Sequence, residues 1–229
     1  MPERLLRQST WDRFESELST AWLNHGFRRV QASRPSGKFV RELAETVQLV
    51  EYDVEISDND RAIFTIELAI WSRRLMKARR QDIHKLTARN GHWWHGLSNL
   101  MPTESSNLWW TVTADHIQPD VAFHSRLAES TIMPIFDKLM SDAALVEVWR
   151  TGGTMGGLSP FPQRAANAVF LAGALGGSNH AAEVARDMVA IAERSASNRP
   201  EQIAKLRKLV ESLPVSSEFL DSITDSDLN

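Results

Sequence analysis

The chain has 229 residues and a formal net charge of −3, with 42% hydrophobic and 24% charged residues, an ordinary profile for a soluble globular protein long enough to bury a sizeable core. It contains no cysteine, which excludes disulfides, thiol catalysis and cysteine-based metal sites and fits a reducing, cytoplasmic setting. The charge gives no global basic field for nucleic acid, the opening MPERLLRQSTWDRF lacks the apolar centre of a secretory signal, and no run approaches the ~18 apolar residues of a membrane span.

In chain order, Ser9 or Thr10 is placed to cap a helix running to about Asn24, with Trp11, Phe14, Leu18, Ala21 and Trp22 on one apolar stripe. His25-Gly26 ends it, glycine being suited to the left-handed position after a helix. Phe27 to Gln31 reads as a short strand, Arg34-Pro35-Ser36-Gly37 as a turn, and Phe39 to Leu43 as a second strand.

Strict alternation then sets in. Val50, Tyr52, Val54 and Ile56 fall on one face and Glu51, Asp53 and Glu55 on the other. Phe64, Ile66, Leu68 and Ile70 repeat the pattern around Thr65, Glu67 and Ala69. Successive strand side chains point to opposite faces, so both segments predict half-buried strands. The polar connector Ser57 to Arg61 joins them as an antiparallel hairpin.

Past Trp71, the stretch SRRLMKARRQDIHKLTARNGH carries seven lysines or arginines against the single acid Asp82. Its weak periodicity (Leu75, Met76, Ile83, Leu86) predicts an exposed surface helix or loop. Trp93-Trp94 and Leu108 to Val112 read as closing strands, and Asp115 as the cap of a helix through Leu139 that Pro134 kinks or splits. Val146 to Arg150 fits helix and strand equally. The Gly/Pro-rich Thr151 to Pro162 marks a linker between a sheet domain, residues 1–150, and a helical extension, residues 163–229. There, one helix stops at Gly176-Gly177, a second starts at Ser178 with Val184, Met188 and Ile191 inside, and a third starts at Pro200 with Ile203, Leu206, Leu209 and Leu213 on one face. Glu218 to Asn229 is an acidic tail. The expected fold is α+β: an antiparallel sheet of about five strands covered by helices, followed by an all-helical extension.

The helix ending in Gly26-Phe27, then Phe39-Val40-Arg41, a strand like Val47 to Tyr52, an apolar strand like Phe64 to Ile70, and a tryptophan-bearing strand and helix over Trp109 to Leu139 together resemble the bacterial domain-of-unknown-function family 4304 over residues 10–140. The resemblance implies the fold and carries over no active site. Family members usually have a Gln-Lys or similar polar pair where this chain has Glu51-Tyr52-Asp53.

Three groups of residues carry candidate chemistry. Glu51, Asp53, Glu55 and Glu67 share one predicted sheet face, where like charges repel unless neutralised. The plainer reading is a solvated outer face with Arg41 or another cation nearby; a basic protein partner or a hard cation also fits the array. Two-metal nucleases add a lysine two residues on, which Glu67-Leu68-Ala69 lacks. Five of the seven histidines lie between His84 and His124, and His92 and His95 sit beside Trp93-Trp94. Zinc accepts imidazole, yet no HExxH or HxH pattern occurs, and ordinary packed histidines are the plainer reading. Arg73, Arg74, Lys77, Arg79, Arg80, Lys85 and Arg89 form a basic cluster beside aromatic residues, suited to a polyanion or to a solvated helix face. The glycines of Thr151 to Gly157 lack the Lys-Ser or Lys-Thr of a phosphate loop. The reading that follows is a non-enzymatic cytoplasmic binding or adaptor protein without a cofactor, one version being an immunity-type protein whose acidic sheet face binds a basic partner. A metal-dependent hydrolase or nuclease and a nucleic-acid binder are the alternatives.

Overall fold

A computed structural model of the chain describes residues 9–30, 36–101, 109–151, 157, 161–194, 200, 201, 204 and 208. The fold is α+β. Six strands form one sheet: β1 (Arg28–Val30), β2 (Ser36–Glu42), β3 (Thr46–Ser57), β4 (Arg61–Ser72) and β5 (Trp93–Gly96) in sequence order, with β6 (Trp110–Thr113) also paired to β4. β1 runs antiparallel to β2 with Arg28 opposite Val40, and β6 antiparallel to β4 with Phe64 opposite Trp110. The helices are α1 (Thr10–Asn24), α2 (Arg73–Ala78), α3 (Ile117–Leu127), α4 (Met133–Lys138), α5 (Asp142–Thr151) and α6 (Phe161–Arg194). The chain divides into two compact units, one made of Met1–Glu42, Gln48–Leu68 and Gly96–Lys138, the other of Leu43–Val47, Ala69–His95 and Leu139–Asn229.

In the first unit, Ser9 caps α1 and Asp12 answers it, the two side chains and backbone N–H groups pairing reciprocally. The helix ends in a Schellman arrangement. Gly26 (φ 78°) donates to Leu23 O at 3.0 Å and Phe27 to Trp22 O at 3.0 Å, while the Phe27 and Trp22 rings pack 5.1 Å apart. Trp11, Phe14, Leu18 and Trp22 are buried, as the stripe predicts, against Tyr52 and Phe64 of the hairpin. Trp22 Nε1 donates to Tyr52 Oη at 3.3 Å, so the phenol has a partner in the core. Burial of this many large aromatics supplies most of the driving force.

β2 starts at Ser36, so Ser36-Gly37 is strand and not turn. A Cβ on Gly37 would lie 2.7 Å from the Trp11 ring and 2.9 Å from Glu15 Oε1, and only glycine lets the strand pass this close under α1. The hairpin turn is shorter than expected, Asp58-Asn59-Asp60, and Asp58 Oδ1 accepts the backbone N–H groups of Asp60 and Arg61 at 2.8 Å each. Asp115 does not cap α3; its carboxyl bonds Thr113 instead, and His116 precedes the helix without a side-chain cap. The helix expected to run from Asp115 to Leu139 is divided just before Pro134 into α3 and α4. A wide π turn over Ala128–Ile132 absorbs the missing N–H and the ring's clash, and α4 continues from it.

The second unit holds α2, β5, α5 and α6. Val146 to Arg150 is helical, as part of α5. Ser141 Oγ accepts the Ala144 N–H at 3.2 Å and Glu45 Oε2 the Asp142 N–H at 2.9 Å, so two of the orphan donors at that helix start are satisfied. α5 packs on α6 through Leu145, Val146 and Trp149. Helix α6 breaks where the sequence places the break: Gly177 has φ 74° and ψ −172°, a conformation open to glycine. Most of the expected linker, 152–156 and 158–160, lies outside the described residues, as do Ile203, Leu206, Leu209, Leu213 and the acidic tail.

Candidate functional site

The four predicted carboxylates do not form one open face. Val50, Tyr52, Val54, Phe64, Ile66, Leu68 and Ile70 are each buried, whereas Ile56, expected on the same face, is exposed. Glu51 Oε1, however, pairs with Lys38 Nζ of β2 at 3.0 Å with both side chains mostly covered. Glu67 is buried, 8% exposed. The alternation holds only along the outer halves of the two strands. From Thr46 to Val50 and from Ile66 to Ser72 every residue is buried, because both faces are covered there. Arg41 is not the neutralising cation. Its guanidinium donates to Gln48 Oε1 at 2.7 Å and Asp137 Oδ1 at 3.2 Å and lies over the Phe27 ring.

Asp53 and Glu55 do remain exposed, and the chain beyond them, Ile56 to Arg61, is exposed as well. That tip is pinned: Thr10 N donates to Asp58 O and Ala114 N to Asp60 O, each at 2.8 Å. The two backbone N–H bonds to Asp58 hold its carboxyl below the usual range. Exposed carboxylates thus sit on a fixed backbone, with Ile56 as an exposed apolar neighbour.

The basic segment is packed rather than wholly exposed. Leu75, Met76, Leu86 and Ala88 are buried. Arg73 donates to Leu43 O at 2.7 Å, Arg74 to the buried Asp142 at 3.1 Å, and Arg79 to Asn167 Oδ1 at 2.6 Å. Arg74, Lys77, Arg80, Lys85 and Arg89 are exposed.

His92 and His95 are both buried. His92 Nδ1 accepts the Ser72 N–H at 3.0 Å, so its proton is on Nε2, which donates to Gln81 Oε1 at 2.8 Å. Burial, and then the Arg79 charge, pull its pKa down to about 3. Both ring nitrogens are committed, so the ring has no lone pair for zinc. His95 Nε2 accepts the Gly157 N–H at 3.1 Å. Among the described residues no group of three or more His, Asp or Glu side chains is arranged to hold a metal ion. His124 lies among the rings of Phe14, Tyr52, Phe64, Trp110 and Phe123, and burial pulls its pKa down to about 4.

One constellation escapes the sequence reading. Arg79 meets Asn167 on α6, and Arg164, one turn earlier on that helix, donates to Gly157 O at 3.3 Å. The available signal was Asn167 itself, a lone polar side chain in Ala165-Ala166-Asn167-Ala168.

No helix among the described residues is long and apolar enough to cross a membrane. No family model matches the sequence, and no curated protein or solved structure shows significant similarity to it.

Proposed function

We propose that the chain is a binding or adaptor protein that recognises a basic protein partner through the acidic tip of its β3–β4 hairpin. The observation that supports this reading is the pairing of exposed Asp53 and Glu55 with a rigid tip bearing Asp58 and Asp60. Prefixed carboxylates in a row steer a cationic surface and bind it without an ordering cost. Glu51 and Glu67 are structural in this reading. The likeness to family 4304 rests on the residue pattern and adds a fold, not a partner.

The test is a triple change, Asp53→Asn, Glu55→Gln and Asp60→Asn, none of which removes a buried contact described above. The expected result is an intact fold and association with the cellular partner slowed about tenfold or more, with salt slowing the wild type in the same way. If the triple variant captures the same proteins as wild type at every salt concentration, the acidic tip is a solvated surface and the reading fails.

A further inference from the structure

We propose that the β6 edge of the sheet, in the first unit, takes an added strand: an extended segment of a protein partner in which a lysine or arginine precedes a short run of β-branched or aromatic residues. The basic end of that segment rests on the acidic-tip reading above; the strand pairing does not. β6 pairs with β4, and among the described residues no strand lies on its other side. The phase of the ladder decides which backbone groups face that side. Ala114 N–H donates to Asp60 O at 2.8 Å, and Val112 stands opposite Ala62 and Trp110 opposite Phe64. Bonded and non-bonded positions alternate along an antiparallel pair, so Ala114, Val112 and Trp110 direct their backbone groups at β4, while Thr113, Thr111 and Trp109 turn theirs away from it. Helix α3 closes the first of these three: the Asp120 carboxyl takes the Thr113 N–H, and Thr113 O accepts the His116 N–H at 3.0 Å. Thr111 is exposed and has no such cover among the described residues.

The β1 edge carries exposed Arg28 and Arg29, charges of the kind that keep a further strand away. β6 reads Trp110-Thr111-Val112-Thr113, with neither charge nor proline. Exposed aromatic rings flank it on both faces. Trp110 is turned inward, where Phe123 of α3 packs against it at 5.7 Å and stays 41% exposed. Trp109, out of phase with Trp110, turns to the opposite face and is 49% exposed. The side chains of an added strand alternate between the same two faces, so its apolar residues meet Phe123 on one side and Trp109 on the other. Backbone bonds to Thr111 supply the attachment and the two rings the selectivity, as in other strand additions. At the Thr113 end, Asp58, Asp60, Asp115 and Asp120 outnumber Arg61. An antiparallel segment therefore presents its N-terminal lysine or arginine to those acids and runs back past Thr111 towards Trp109.

The full chain should be panned against displayed random peptides of about eight residues, long enough for a strand. The expected winners carry a lysine or arginine ahead of a β-branched or aromatic run. A synthetic winner should slow hydrogen exchange at the Thr111 amide. Thr111→Pro deletes that N–H at an edge position where proline is tolerated, and should weaken the winner about tenfold or more. Trp109→Ala removes an exposed ring, should weaken it by a similar factor, and decides alone if the first variant fails to fold. No enriched sequence, or winners that bind both variants as tightly as the wild type, would overturn the proposal. So would self-association of the chain that protects the Thr111 amide and is lost in Thr111→Pro, because the occupant would then be a second copy. Replacing the winner's lysine or arginine by glutamine separates the two readings. If that swap changes nothing while Thr111→Pro still abolishes binding, the added strand is supported and the acidic-tip reading fails. If the swap weakens binding and Thr111→Pro does not, the acidic tip stands and the added strand is wrong.

Discussion

His92 donates from Nε2 to Gln81 Oε1 at 2.8 Å while its Nδ1 takes the Ser72 N–H, so a ring in the interior is held neutral by bonds at both nitrogens. His124 is held neutral by a different route, enclosure among aromatic rings. Below the unfolded pKa near 6.5 the unfolded chain takes up protons that the folded chain refuses until about pH 4 at His124 and about pH 3 at His92. Stability is therefore full above about pH 7 and falls with acid by about 1.4 kcal/mol per pH unit for each histidine. Urea unfolding at pH 7.5, 6 and 5 checks the slope. In His124→Phe the slope between pH 6 and 5 should drop by one histidine's share; an unchanged slope would show that His124 is not one of the two groups.

Leu68 is fully buried on β4, where both faces of the strand are covered. Leu68→Ala should cost about 2–5 kcal/mol in denaturant unfolding. A loss under about half a kcal/mol would mean that the site collapses around the missing methyl groups instead of leaving a cavity.

Gly91 tests close approach in the second unit. Its φ of −60° suits any residue, but a Cβ would stand 2.7 Å from Trp93 O and 2.8 Å from Ala69 Cβ. Neither neighbour is a flexible side-chain end. Gly91→Ala should lower stability by about 1–3 kcal/mol, and a neutral result in thermal unfolding would show that β5 shifts freely.

Arg150 joins α5 to α6, with Nη2 at 2.6 Å from Asp187 and 3.0 Å from Glu183, and with Glu147 nearby on its own helix. The acids are exposed, so the network is worth little in salt. Arg150→Gln should cost about 0.5–1 kcal/mol at low salt and close to nothing at ~1 M salt. A cost that persists at high salt would assign the effect to lost packing of the arginine stem.

Period-two patterning and helix punctuation were legible at once. The alternation of Val50 to Glu55 and Ala62 to Ile66, the α1 stripe, Gly26 and Gly177 behave as their residue types require. Glu67 was not legible, because the alternation that puts it outward holds only where one face of a sheet meets water. Gly37 resembles a turn residue because the reason for it lies on α1, in Trp11 and Glu15. Glu15 itself is buried on the stripe and closed by a forked bond to Arg29 of β1, with Nε 2.9 Å and Nη2 2.5 Å from its oxygens. The candidate sites fared differently for the same reason. Asp53 and Glu55 are exposed because they lie near the end of the hairpin, whereas His92 and, from the basic segment, Arg79 are drawn inward by partners distant in sequence, Ser72 and Asn167 among them.

The two units end at different points along the chain. Every segment of the first unit precedes residue 139, while the second requires both Leu43–Val47 and everything after Lys138. During synthesis, at about 5–20 residues per second, the first unit has all its material once Lys138 leaves the ribosome. Residues 69–95, with the buried Trp71 and Trp93, must then wait for α5 and α6. A nascent chain arrested between residues 138 and 161 would expose Trp71, Met76 and Trp93 of the second unit before α6 exists to cover that unit's interior, and this is the window in which a chaperone has the most to bind.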